Sequence, residues 1–249
     1  MLERTLEKAL QGQGFTVVFQ PIVTNRGHCL GFEALSRFAS GDAPDVVWRH
    51  ATTMGYATAL DAMAIHKALD AGRDLPGHLF LNLSVINRDI TERITNGVEP
   101  GRVTWEITEE TPLSSQSVAA IQGMRAQGHA IAMDDAGTGR STVARLQRLR
   151  PDVVKLDKEL VQQWAHGNPD PLREWVQQIK QTGATVLAEG IEVGRWIDAL
   201  VTEGVEAFQG YAIGRPAARE TWADNYRYLP GGGGVILITN FGSSPRISA

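Results

Sequence analysis

The chain has 249 residues, 43% of them hydrophobic, with a formal net charge of −4 and a pI ≈ 5.9. That balance argues against a nucleic-acid duplex or an anionic membrane surface as partner, and a phosphate ligand would need local cations, either metals or placed Arg and Lys. A single cysteine, Cys29, excludes an intrachain disulfide framework and reads as a small buried apolar residue.

Taken in chain order, the N-terminal MLERTLEKAL has the spacing of an amphipathic helix with charges throughout. It lacks the apolar core of a signal peptide, and no run of the chain approaches the roughly 18 apolar residues of a membrane span. A reducing, cytoplasmic setting without membrane insertion is expected. Eight short apolar segments then recur: FTVVFQPIV (15–23), CLGFEALSRF (29–38), HLFLNLS (78–84), VTWEIT (103–108), AIAMDD (130–135), DVVKLD (152–157), TVLAEGI (185–191) and AFQGYA (207–212). Between most of them lie helical patterns such as SSQSVAAIQGMRAQG, PLREWVQQIKQTG and GRWIDALVTEG. Only TNRGHC separates the first two, a hairpin length and not a crossover. The pattern predicts an α/β fold, a (β/α)8 TIM-like barrel with an antiparallel first strand, with a doubly wound open sheet as the alternative. The barrel is assigned to residues 1–229. Residues 230–249 form a Gly-rich link, Gly231 to Gly234, and a C-terminal tail in which VILITNF reads as an added strand, a partner-binding edge or a poorly ordered end.

The predicted strands carry polar residues near their C-terminal ends: Glu33, Asn82, Glu106, Asp134 with Asp135, Lys155, Glu189 and Gln209. In a barrel that end is where active sites are built. A polar group interrupting a buried strand costs several kcal/mol unless it is partnered, so any one of these carboxylates alone reads as a salt-bridged rim residue, but the whole set does not. Five carboxylates and an amide oxygen are hard donors suited to Mg²⁺ or Mn²⁺, and the set could hold two ions. The six histidines show no HxH or HExxH pairing, which argues against zinc. GxxxxGK and GxSxG motifs are absent, and the stretch from Gly137 to Thr142 fails GxGxxG at its last glycine. Lys155 could form a Schiff base as in aldolases, but that leaves the carboxylates unexplained. Adjacent Asp134 and Asp135 repel each other, and a regular strand would send them to opposite faces. Divalent cations between them and their neighbours would make the pair tolerable.

In order, "FQPIV", "GFEALSRF", "LNLS", "WEITEE", "DDAGTG", "VVKLDKELV", "AEGIE" and "FQGYAIGRP" strongly resemble the EAL-domain family of cyclic di-GMP phosphodiesterases, from about residue 15 to residue 217. The resemblance implies a barrel with one antiparallel strand and hydrolysis of cyclic di-GMP to linear pGpG. It implies that Glu33, Asn82, Glu106 and Asp134 hold one Mg²⁺ or Mn²⁺, that Asp134, Asp135 and Glu189 surround a second, and that Lys155 and Gln209 hold the attacking water. Glu109 matches a glutamate that steadies the loop after the two Asp residues. Gln20, Leu35, Arg37, Asn82, Asp157 and Pro216 match residues around the nucleotide, with Arg37 on a phosphate. Taken alone, Arg37 would read as a surface ion pair. A homodimer is also implied, and control by a separate sensor or regulatory protein or by dimerisation stays open.

Two departures stand out. Ala136 replaces the phenylalanine that usually follows the two Asp residues, and RST (140–142) replaces an aromatic followed by small residues. If packing is missing at Ala136, the loop should be mobile without ligand and Ala136→Phe should raise activity; if Ala136 already faces a bulky neighbour, Phe should overpack it. Two other readings remain open on sequence: a module that binds cyclic di-GMP without cleaving it, and an unrelated Mg²⁺-dependent barrel enzyme.

Overall fold

In the computed structural model, residues 1–108, 111–137, 142–223, 225–228 and 235–237 are described. Along the chain run α1 (Leu2–Leu10), β1 (Phe15–Thr24), β2 (Cys29–Phe38), α2 (Pro44–Thr53), α3 (Ala57–Ala71), β3 (His78–Asn82), α4 (Arg88–Thr95), β4 (Val103–Ile107), α5 (Ser115–Ala126) and β5 (Ala130–Ala136). They continue as α6 (Val143–Leu149), β6 (Val153–Leu156), α7 (Lys158–Ala165), α8 (Asp170–Lys180), β7 (Thr185–Ala188), α9 (Trp196–Glu203), β8 (Ala207–Gln209), α10 (Arg219–Ala223), β9 (Tyr226–Tyr228) and β10 (Val235–Leu237). Strands β1 to β8 close into a barrel in sequence order. β1 runs antiparallel to both β2 and β8, and the other neighbours pair in parallel. This is the barrel with an antiparallel first strand that the hairpin-length TNRGHC connection predicts, and it excludes the open sheet.

The closure follows from strict alternation. Outward-facing strand residues such as Phe32, Leu79, Trp105, Met133, Val154, Val186 and Phe208 are buried in one large cluster with helix residues that include Leu149, Leu172 and Leu200. The alternate residues Ile22, Phe80, Ala132, Val153, Leu187 and Ala207 form a second cluster, an apolar layer inside the barrel. Two residues further toward the mouth on the same strands stand Gln20, Asn82, Asp134, Lys155, Glu189 and Gln209, because side chains of a strand repeat their direction with period two. The barrel interior is thus packed below and polar above.

β7 and β8 stop earlier than the expected strands, at Ala188 and Gln209. Gly190 and Gly210 take positive φ there, and a Cβ on Gly210 would meet the Ile191 backbone nitrogen at 2.2 Å. The two segments cross there too closely for any side chain, yet they stay hydrogen-bonded beyond the strands, Ile191 N to Gln209 O at 3.0 Å and Ala212 N to Ile191 O at 2.9 Å. In the tail, Val235–Leu237 is a strand antiparallel to Tyr226–Tyr228, and Gly231 to Gly234 lie outside the described residues. No helix among the described residues is long and apolar enough to cross a membrane.

Ala136 is fully buried and belongs to the large cluster. This corrects the expectation of missing packing: the space is already filled, and Leu160 lies so close to neighbouring Gly137 that a Cβ there would reach Leu160 Cδ1 at 2.2 Å. Thr138 to Ser141, where the loop mobility was expected, lie outside the described residues. Ala136→Phe should therefore overpack the wall and lower stability by roughly 1–3 kcal/mol. Urea unfolding of the two proteins checks this; a more stable phenylalanine variant would refute it.

Candidate active site at the barrel mouth

Each of the eight strands delivers one polar side chain to the ring: Gln20, Glu33, Asn82, Glu106, Asp134, Lys155, Gln209 and, one residue beyond β7, Glu189. Gln20 is the member that the ends of the parallel strands do not reveal. It sits on the antiparallel strand, yet it pairs in register with Glu33 and so shares its face.

Lys155 lies at the centre, 1% exposed. Its Nζ stands 2.7 Å from Glu106 Oε1, 2.9 Å from Glu189 Oε1, 3.0 Å from Asp134 Oδ1 and 3.8 Å from Glu33 Oε1. Burial alone would pull the ammonium pKa down, but the four carboxylates outweigh it and hold the group charged, well above its ordinary value. The acids carry the reciprocal cost. Burial pushes Glu106 well above the usual carboxylate range despite Lys155, with Glu33 and Asp134 adding to the rise. Burial likewise raises Glu189 to about 8, opposed by Lys155 and reinforced by Asp134 and Glu33.

The two adjacent aspartates are reconciled by a bulge. Across the β5–β6 ladder Met133 pairs with Val154 and Ala136 with Leu156, so Asp134 and Asp135 together oppose Lys155 alone. Asp135 takes φ 53°, a left-handed conformation that aspartate tolerates better than most residues. The extra residue breaks the alternation, and oxygens of Asp134, Asp135 and Glu189 lie within 4.8 Å of one another. The donor set fits a hard divalent cation. With Glu33 and Glu106, the three acids bring five negative charges when all are ionised, against the single positive charge of Lys155, an excess of four that two divalent ions would balance. Glu106 Oε2 is buried without a hydrogen-bond partner among the described residues, which leaves its lone pairs open to a cation.

A chain of amides fixes one side. Gln20 Nε2 donates to Gly214 O at 3.0 Å, and Gln209 Nε2 donates to Gln20 Oε1 at 3.2 Å and to Glu33 Oε2 at 2.5 Å. Glu33 is thereby aimed by β8 as well as by its own strand.

The remaining residues fall outside this contact set. Arg37 is exposed and its Nη1 donates to Ser36 O. Leu35 and Pro216 are half-buried. Asp157 caps α7, accepting from Glu159 N at 2.7 Å, a role that its place one residue before the helix could have signalled. Glu109 lies outside the described residues. Its flanks are held by a residue the sequence does not single out: Arg145 Nη1 donates to Thr111 O at 3.0 Å and Nη2 to Thr108 O at 2.5 Å. In sequence Arg145 is only a helix-surface arginine.

The family model of the EAL domain matches residues 3–216. The "Probable cyclic di-GMP phosphodiesterase PdeB" of Escherichia coli K12 is 28% identical over 245 residues, 89% of this chain and 47% of that protein. The solved "PaMucR Phosphodiesterase, c-di-GMP complex", whose namesake MucR is from Pseudomonas aeruginosa, aligns with a TM-score of 0.77 at 25% identity over 88% of this chain and 98% of that one. Klebsiella pneumoniae BlrP1, solved as a manganese/cy-diGMP complex, aligns with a TM-score of 0.72 at 27% identity over 83% of this chain and 57% of that one. The chain spans about half the length, or less, of the curated relatives it matches.

The crowding predicts how the metal-free protein responds to pH. Glu189 titrates near 8 when folded, above its ordinary 4.5. Such a group adds stability fully below the ordinary value and loses it as pH rises through about 8. In EDTA, the melting temperature should therefore fall between pH 5 and pH 9, and added Mn²⁺ should flatten the fall. A metal-free profile that rises over that window would refute the crowding.

Proposed function

This chain belongs to the EAL domain family, and we propose that it is a Mg²⁺- or Mn²⁺-dependent phosphodiesterase that hydrolyses cyclic di-GMP to linear pGpG in the cytoplasm of a bacterium. The observation that carries the reading is the ring itself, five carboxylates around one buried lysine at the mouth of a closed barrel. Phosphodiesterases of this name among its relatives support the substrate.

Glu33, Asn82, Glu106 and Asp134 would hold one cation, and Asp134, Asp135 and Glu189 a second. Bound cations supply Lewis-acid polarisation of the phosphate and ease deprotonation of water. The chain's own part is positioning and charge. Lys155 donates a hydrogen bond to the attacking water and offsets negative charge that grows on the phosphate. Gln209, already anchored between Gln20 and Glu33, orients the same water. Arg37, exposed at the end of β2, takes a phosphate oxygen as the nucleotide arrives. The water oxygen bonds to phosphorus as the bond to the 3′ oxygen breaks, and a proton balancing the one the water loses ends on that oxygen, which opens the ring and leaves a 3′-hydroxyl and a 5′-phosphate. Gln20, Leu35, Asp157 and Pro216 line the nucleotide, and Glu109 steadies the loop after Asp135. A homodimer, and control by a separate protein, belong to the same proposal.

Incubation with cyclic di-GMP and Mn²⁺ followed by chromatography tests it: pGpG is the expected product, and binding without turnover would instead support a receptor. Glu33→Ala should reduce turnover by about 10³-fold or more, of the order lost with a key electrostatic group, while the circular dichroism spectrum is kept. Wild-type turnover in that variant would remove Glu33 from the machinery. Ca²⁺ as the sole divalent ion should bind and inhibit, because its larger radius and loose coordination misalign the water. Full activity in Ca²⁺ would count against the scheme.

A further inference from the structure

Asp61, on α3, is a buried acid that has no place in the ring, 1% exposed and remote from Lys155 in its contacts. Trp48 Nε1 of α2 donates to its Oδ1 at 2.7 Å. Two more bonds come from one residue of the β3–α4 connection: Ser84 Oγ donates to Oδ1 at 3.0 Å and Ser84 N to Oδ2 at 2.9 Å. Burial pushes the Asp61 carboxyl upward, and Trp48, Ser84 and the backbone N–H of Val85 pull it back.

Two of the three bonds that satisfy this buried carboxylate come from Ser84, so it ties α3 to the β3–α4 connection as well as to α2. Ser84 stands two residues beyond Asn82, where the strand has ended and the chain is irregular up to the cap of α4 at Asn87. Between them, Leu83 donates its backbone N–H to Glu106 O at 2.9 Å and buries its side chain completely. The segment from Asn82 to Ser84 is thus gripped from the β4 side at Leu83 and from the α3 side at Ser84. Asn82 itself pairs in register with Glu106. Among the side chains proposed to hold the first cation it is the one without charge, so its contribution depends more on direction than on attraction.

We propose that Asp61 is a positioning residue for Asn82: by fixing Ser84 it sets the backbone at the end of β3 and so the direction in which the Asn82 amide oxygen enters the ring. This rests on the reading of Asn82 as a ligand of a divalent cation. Asp61→Asn keeps the size of the side chain but turns one acceptor into a donor, so it cannot accept all three bonds: with its oxygen in the place of Oδ1 it keeps Trp48 Nε1 and Ser84 Oγ and sets its own N–H against Ser84 N–H. Loss of a group that orients a metal ligand typically weakens metal binding by about 10- to 100-fold.

The test titrates Mn²⁺ alone into the metal-free protein by calorimetry, without nucleotide. Asp61→Asn should raise the Mn²⁺ Kd about tenfold, and Asn82→Ala at least as much. Combining the two should add little, because both act on one ligand. Trp48→Phe, which cuts only the tie to α2, should lower the melting temperature yet leave the Kd within about twofold of wild type. If Asp61→Asn does not fold, Ser84→Ala carries the test, with an expected rise of about two- to fourfold. A wild-type Kd in Asp61→Asn, or an equal rise in Trp48→Phe, overturns the proposal while the metal reading stands. Full additivity of the pair overturns it as well. No Mn²⁺ binding by wild type, or a wild-type Kd in Asn82→Ala, overturns the reading of Asn82 and the proposal with it.

Discussion

A buried lysine surrounded by acids is the constraint around which this barrel is arranged. Lys155 could not stay charged in the wall of a closed β-barrel without Glu106, Asp134 and Glu189 within 3.0 Å, since an isolated buried ammonium loses its proton or opens the structure. The acids, in turn, overshoot. One ammonium cannot neutralise five carboxylates, so burial and mutual repulsion push Glu106 and Glu189 above the usual carboxylate range. The ring comes at a cost in stability carried by the apolar layer of Ile22, Phe80, Ala132, Val153, Leu187 and Ala207 directly beneath it. That division of labour, packing below and charge above, is a direct consequence of two-residue periodicity in eight strands.

Backbone irregularities deliver what regular strands cannot. The extra residue in β5 turns Asp134 and Asp135 toward a common space with Glu189. At the next strands, Gly210 lets the end of β8 lie on the Ile191 backbone, which brings the segment after Glu189 against the segment after Gln209. At Asp134 and Asp135 the ladder is broken where the ring needs a side chain in a different direction.

Much of this was legible in the sequence, and the reason is the low ambiguity of the pattern. Short β-branched runs each interrupted by one polar residue do not occur by chance in a buried sheet, so Glu33, Glu106, Lys155 and Gln209 mark both the strands and the site. The TNRGHC connection is too short for a crossover, which fixes the direction of β1. Other features were hidden because they depend on geometry between distant residues. The bulge at Asp134 and Asp135 leaves no trace in composition. Ala136 looked like a missing ring, but only the fold reveals that its surroundings are already full. Arg145 and Asp61 look like ordinary helix residues until Thr108, Thr111 and Ser84 are brought beside them.

These hidden residues share a feature that bears on how such a barrel works. Arg145 and Asp61 each reach from a helix to the backbone of a connection that follows a strand of the ring: Arg145 to the segment after Glu106, Asp61 to the segment after Asn82. Hydrogen bonds to backbone groups hold a position without dictating which side chain occupies it. A barrel can then exchange residues in its outer helices and loops while the ring keeps its directions. Precision in the site is thus carried by two layers: strands that set which residues face inward, and helix side chains that set where each strand ends. The second layer is the one that sequence motifs record least, because Thr108, Thr111 and Ser84 meet it through main-chain atoms, with the Ser84 hydroxyl as the side-chain contact at the receiving end.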